Sequence, residues 1–296
     1  MLCLLGFLLL VAPAGCAQPN GTAGKPQVAA TIFPLYDISR NITGDKMDVE
    51  LILPPGASPH TFEITPQRVR NLQGTKIIFK IGHGLDDWTD RLSAFLSGVQ
   101  IVTVDKGIEF IYEDEGSQDA DHHGHGGVNP HYWLSVKDAE IIANDIADNL
   151  IAIDSGNANA YQQNLKAYVA KLRELESQIS QRLQPYKGAK IVTFHDSWAY
   201  YAREFDLQIA ATIEPFPGRQ PTPRYLADLQ NVVTSYNIRA LFIEPQLSSE
   251  SVESFVHDLG VQLYILDPLG GVEGRDSYIQ LMRYNTDTIV KALSHG

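Results

Sequence analysis

Two hydrophobic periods alternate along the chain. Val28 to Phe33, Val49 to Leu53, Ile77 to Ile81 and Ile101 to Val104 are short and rich in β-branched residues, which suits strands buried on both faces. Between them, Leu35 to Thr43, Pro66 to Gln73 and Asp87 to Leu96 carry apolar residues at helical spacing. Strands alternating with helices predict a parallel sheet with helices on its faces. The second half repeats the outline without repeating the sequence. Lys190 to Phe194, Gln208 to Ile213, Ala240 to Ile243 and Gln262 to Leu266 read as strands, and Ser197 to Phe205, Pro223 to Tyr236, Ser249 to Leu259 and Arg275 to Leu293 as helices.

The middle of the chain is helical. Over Ser135 to Ile153, Ser135 is placed to cap, Asp138 and Glu140 suit the first turn, and Ile142, Ile146 and Leu150 supply an apolar face. Ser155-Gly156-Asn157 breaks the pattern. From Ala158 to Gln184, Tyr161, Leu165, Tyr168, Leu172, Leu175, Ile179 and Leu183 recur at steps of four and three, with no Gly or Pro before Pro185. At ~1.5 Å per residue this helix runs roughly 40 Å. Such a seam also suits a coiled-coil dimer, but an α/β pattern follows it rather than further heptads, which favours an intramolecular strut. The expected fold class is α/β with two lobes, each a parallel four-stranded sheet flanked by helices. Residues 28–154 form the N-terminal lobe, 155–185 the linking helix and 186–296 the C-terminal lobe.

The N-terminus adds a destination. Leu4 to Val11 is an apolar run too short to span a bilayer, and it ends at Pro13-Ala14-Gly15-Cys16. It resembles a lipoprotein signal over residues 1–16, with Cys16 as the lipidated first residue of the mature chain; a plain cleaved signal is the alternative. Residues 17–27 then serve as a flexible tether. Cys3 and Cys16 are the only cysteines, so the mature fold has no disulfide, and any metal site there must use His, Asp and Glu. The formal charge of −12 makes nucleic acid an improbable partner, because phosphate binding needs clustered Lys and Arg.

Four metal-capable residues fall beside strand ends or at the start of a following helix, where open parallel sheets bind their ligands. His60 follows Val49–Leu53 through the turn Pro54 to Pro59. His131 precedes the Ser135 helix. His195 and Asp267 directly follow their strands. Three imidazoles and a carboxylate suit the four-coordinate preference of zinc. Widely spaced histidines are also what hydrogen-bonded structural histidines look like, and Asp267-Pro268 is also a turn signal.

Five segments, PPGASPHTFEITP around His60, NPHYWLS around His131, HDSWAYYAREFDL around His195, FIEPQLSS around Glu244 and LDPLGG around Asp267, resemble the solute-binding proteins of zinc and manganese ABC transporters, of the helical-backbone metal-receptor class. The resemblance runs in order from about Val28 to the C-terminus. It implies two α/β lobes on one rigid helix and a cation between them held by His60, His131, His195 and Asp267. It further implies a monomer, held at the membrane by a lipid anchor, that serves a permease and, through it, an ATPase. Manganese-type members carry Glu where this chain has His195; imidazole suits zinc, so the expected cargo is Zn2+, with manganese or iron as the alternative. Glu63 and Glu244 are placed either to accept a histidine N–H and orient the ring, or to cap a helix or pair with an Arg.

Zinc-type members also carry a His-rich acidic loop before the second ligand, as Glu113 to His125 does here in short form. His122, His123 and His125 with Asp119 and Asp121 would either capture the cation weakly or form a solvated charge run that binds it incidentally. A rival from another class is a zinc-dependent hydrolase, with three histidines, an open water position and Glu63 or Glu244 as base. Neither HExxH nor G-x-S-x-G occurs, which counts against it.

Overall fold

The computed structural model describes residues 27–112, 127–214, 221–246, 256–257 and 259–294. Cys16 and the cluster Asp119, Asp121, His122, His123 and His125 lie outside these residues, as does most of the expected helix Ser249–Leu259.

Strands β1 (Gln27–Ala30), β2 (Asp48–Leu51), β3 (Thr75–Lys80) and β4 (Gln100–Thr103) form one sheet in the order β2-β1-β3-β4. Strands β5 (Lys190–Thr193), β6 (Gln208–Thr212), β7 (Ala240–Ile243) and β8 (Gln262–Ile265) form a second in the order β6-β5-β7-β8. Every pairing is parallel. Both orders reverse beside the first strand of the lobe, which opens a crevice at the carboxyl ends of the strands. The expected two-lobed α/β fold is the one observed.

Alternation along each strand divides the core. In the first sheet Val28, Ala30, Ile77 and Phe79 join the main cluster, while Ala29 and Ile78 face outward to Ile52, Leu72, Leu92 and Leu96. In the second sheet Ile191 and Phe242 face inward, and Val192 and Leu241 pack outward with Leu229 and Val233.

Helices α1 (Phe33–Thr43), α2 (Pro66–Asn71) and α3 (Val136–Ile153) belong to the first half of the chain. The long helix α4 (Ala158–Leu183) follows, and α5 (Ala199–Phe205), α6 (Pro223–Ser235) and α7 (Tyr278–Ser294) belong to the second half. Tyr161, Tyr168, Leu172, Leu175, Ile179 and Leu183 are the buried residues of α4, and they face α1, α3 and α7 of the same chain. The seam that a coiled-coil partner would need is therefore filled intramolecularly. Since α1 and α3 come from one lobe and α7 from the other, one apolar core runs through both.

Local signals explain several boundaries. Thr65 caps α2 and Ser135 caps α3, each side chain accepting from a backbone N–H three residues on, with Pro66 at the start of α2. Two expectations need correcting. Asp87 to Leu96 is a 3-10 helix over Asp87–Ala94, not an α-helix. Thr89 and Ser93 hydroxyls bond the carbonyls of Asp86 and Asp90 three residues back, competing with α-helical pairing. The last helix begins at Tyr278 rather than Arg275. Arg275 closes a bridged turn with Val272, and Ser277 accepts from the Gln280 N–H to start the helix.

Candidate metal centre

The three expected histidines converge. His60 leaves β2 on a turn in which Ala57 N–H donates to the Pro54 carbonyl and Thr61 N–H to that of Ser58. His131 sits at the end of an Asn-Pro turn, where Asn129 Oδ1 accepts from the His131 backbone N–H at 3.1 Å. His195 stands two residues past the end of β5, and its carbonyl accepts from Thr193 Oγ1.

Their Nε2 atoms meet at one point. His131 Nε2 lies 3.2 Å from His60 Nε2 and 3.2 Å from His195 Nε2. Two nitrogens bound to one ion at ~2.0–2.1 Å and spread at a tetrahedral angle stand about 3.4 Å apart, so the spacing fits a shared cation. Among the described residues, these three are the one set of at least three His, Cys, Asp or Glu side chains grouped closely enough to share an ion. With Trp133, Glu244, Gln246, Pro268 and Leu269 they line a cavity of about 10 Å³, room for a single small ion or water.

Partners behind the rings fix which nitrogen faces the cavity. His131 Nδ1 is 3.0 Å from Asn129 Oδ1, which can only accept, so the proton sits on Nδ1 and Nε2 keeps its lone pair. His195 Nδ1 is 2.9 Å from Glu244 Oε1, a close ion-pair contact not aligned as a hydrogen bond. Ser197 Oγ donates to the same Glu244 oxygen at 2.8 Å. Glu244 thus occupies the position expected of an orienting carboxylate. Glu63 is exposed and absent from the cavity wall.

Electrostatics separate the rings. Burial, then the neighbouring His195 charge, lowers the His60 pKa to about 4. Burial also pushes His131 well below the usual imidazole range, with His195 and His60 adding to the effect. Burial pulls His195 down as well, but Glu244, with Asp196 and Glu214 behind it, outweighs this and leaves it raised. Two of the three rings are therefore held neutral, the form that binds metal.

Asp267 is not in the three-histidine group. It follows β8 as expected and is 1% exposed, yet its carboxylate is taken up elsewhere. Oδ1 accepts from Gln246 Nε2 at 2.7 Å and from the backbone N–H groups of Leu269 and Gly270 at 3.0 Å each. Oδ2 is 3.0 Å from Arg275 Nη1. Asp267 does not itself line the cavity, although its partner Gln246 and its neighbours Pro268 and Leu269 do.

The lobes also bond to each other here. Trp133 Nε1–H donates to the Pro268 carbonyl at 2.8 Å, and Asn129 Nδ2 donates to the Asp196 carbonyl at 2.6 Å. Asn129, Gln246 and Arg275 were not anticipated from the sequence. The Asn-Pro pair before His131 signals an Asx turn and points to Asn129, whereas Gln246 and Arg275 carry no comparable local signal.

A family model described as ZnuA, zinc-uptake complex component A, periplasmic, matches residues 28–292. This chain belongs to that family. The manganese ABC transporter substrate-binding lipoprotein PsaA of Streptococcus anginosus is 30% identical over 98% of this chain and 97% of its own. The high-affinity zinc uptake system protein ZnuA of Bacillus subtilis is 26% identical over 96% of this chain and 94% of its own. A crystal structure of ZnuA superposes with a TM-score of 0.79 at 29% identity, covering 90% of this chain and 99% of the other. The chain is a metal-binding substrate-binding protein of an ABC transporter, not an enzyme, and such proteins work with a membrane permease and ATPase. No helix among its described residues is long and apolar enough to cross a membrane.

Proposed function

We propose that this member of the ZnuA family captures Zn2+ outside the cytoplasm and presents it to its permease. His60, His131 and His195 supply three Nε2 ligands and Asp267 the fourth, with Asn129 and Glu244 holding two of the rings in register. The observation that carries the reading is the meeting of the three Nε2 atoms at 3.2 Å contacts. A donor set rich in imidazole favours zinc over the harder manganese ion, and His195 is the residue on which that choice turns. Lipidation of Cys16 would hold the chain at the membrane, a reading supported by the apolar run before it and by the lipoprotein name of PsaA.

The test is elemental analysis of the purified chain, with and without His131→Ala. One tightly held zinc per chain, lost in the variant, is the expected result; equal zinc in both overturns the ligand assignment. Manganese is the second reading, favoured by the full-length relatedness to PsaA. Manganese retained in preference to zinc when both are supplied in equal amount would establish it.

A further inference from the structure

The surroundings of Asp267 set a condition on cargo binding. Its backbone is clamped by one buried side chain: Asn285 Oδ1 accepts from the Asp267 N–H at 2.8 Å, and Asn285 Nδ2 donates to the Asp267 carbonyl at 2.7 Å. Only the carboxylate can move, by rotation about its own side-chain bonds. Both of its oxygens are engaged, so reaching the three imidazoles means surrendering at least one contact. The Leu269 and Gly270 N–H groups belong to a turn whose next glycines are tightly packed; a Cβ on Gly271 would meet the Phe33 ring at 3.0 Å. Arg275 is the partner able to yield. Its side chain is 19% exposed, its guanidinium rests over the Tyr284 ring at 4.6 Å, and its Nη1 is close to Asp267 without being aligned as a hydrogen bond.

Resting on the zinc-site reading above, we propose that Arg275 and the cargo cation compete for Asp267, so that loading exchanges one positive partner for another and Arg275 limits how tightly the cargo is held. Asp267 is buried and has to be neutralised; without a metal ion its counter-charge is the guanidinium. When the ion arrives, Asp267 turns to it, and Arg275 keeps its contact over the Tyr284 ring. A carrier must release what it binds. An internal cation that takes the carboxylate back lowers the cost of letting the ion go.

The test is a double-mutant cycle on the purified chain, with zinc affinity read by chelator competition for the wild type, Arg275→Met, Asp267→Asn and the double variant. Arg275→Met is expected to tighten zinc binding by about tenfold or more, the lower end of coupling for a close charge pair. Asp267→Asn is expected to weaken it, and adding Arg275→Met to that background should change nothing. Thermal melting gives a second readout: the rise in Tm on adding zinc should be larger in Arg275→Met than in the wild type, because only the metal-free variant has a buried carboxylate without a cation. Arg275→Lys, which keeps the charge and loses the guanidinium fork, should fall between the two. Unchanged or weaker zinc binding in Arg275→Met, or tightening that persists without Asp267, overturns the exchange. If His131→Ala abolishes zinc binding while the cycle shows no coupling, the exchange fails alone; if His131→Ala binds as tightly as the wild type, the site reading falls and takes the exchange with it.

Discussion

Glu244→Gln isolates the electrostatic share of the carboxylate behind His195. Glu244 is 3% exposed, stands 2.9 Å from His195 Nδ1, and accepts from Ser197 Oγ at 2.8 Å. Glutamine keeps the length of the side chain and one carbonyl oxygen. The ring can still place its proton on Nδ1, and what is lost is the negative charge that makes Nε2 a stronger donor. Replacing such partners costs about 10–100-fold in metal affinity, and a substitution that preserves shape belongs near the lower end. That is about 1.4 kcal/mol for tenfold.

The pH dependence gives this prediction a sign that simple misfolding would not reproduce. Burial lowers the His195 pKa, but Glu244 reverses that and holds it raised. The wild type must therefore lose a proton from His195 before binding zinc as pH falls through the imidazole range, whereas the variant ring stays neutral further down. Its disadvantage should be largest near pH 8 and shrink towards pH 6. Chelator competition at the two pH values measures both affinities. Equal affinities at pH 8, or a deficit that widens at pH 6, would refute this account of Glu244.

Two further outcomes follow from the same geometry. His195→Glu places a second carboxylate beside Glu244 and should move the zinc-to-manganese affinity ratio towards manganese by about tenfold or more, read by competition between the two ions. Leu172→Ala, at a fully buried position in the core shared by both lobes, should cost about 2–5 kcal/mol in urea unfolding while leaving a single transition; two separate transitions would show that the lobes do not share one core.

The fold was legible because its strands and helices obey their own periods. The steps of Tyr161, Tyr168, Leu172, Leu175, Ile179 and Leu183 name the buried face of α4, and Ser135 announces the start of α3. Asp87 to Leu96 misled because Thr89 and Ser93 can bond carbonyls three residues back, a local choice that an apolar pattern does not encode. The site was legible in part. Position after a strand end pointed to His60 and His195, which do converge, and to Asp267, which stands outside their group; Glu244, just beyond β7, was singled out by the resemblance instead. Which way a carboxylate points depends on distant neighbours: Asp267 faces Arg275 because the turn from Val272 to Arg275 folds back beside it. Reading Arg275 into the last helix concealed that contact.

The same contacts say where the molecule can yield. Opening by a wide hinge would break the continuous apolar core and the bonds that cross the lobes at Trp133–Pro268 and Asn129–Asp196. His131 and His195 are both buried and backed by fixed partners. His60 is less buried than either, and it rides on a loop tied by few backbone bonds between β2 and α2. Arg275 offers Asp267 an alternative partner. In the proposed four-ligand site, withdrawal of His60 together with return of Asp267 to Arg275 would leave a cation on two imidazoles, half of the set. Release then needs one loop and one side chain to move while the long helix and both sheets stay in place.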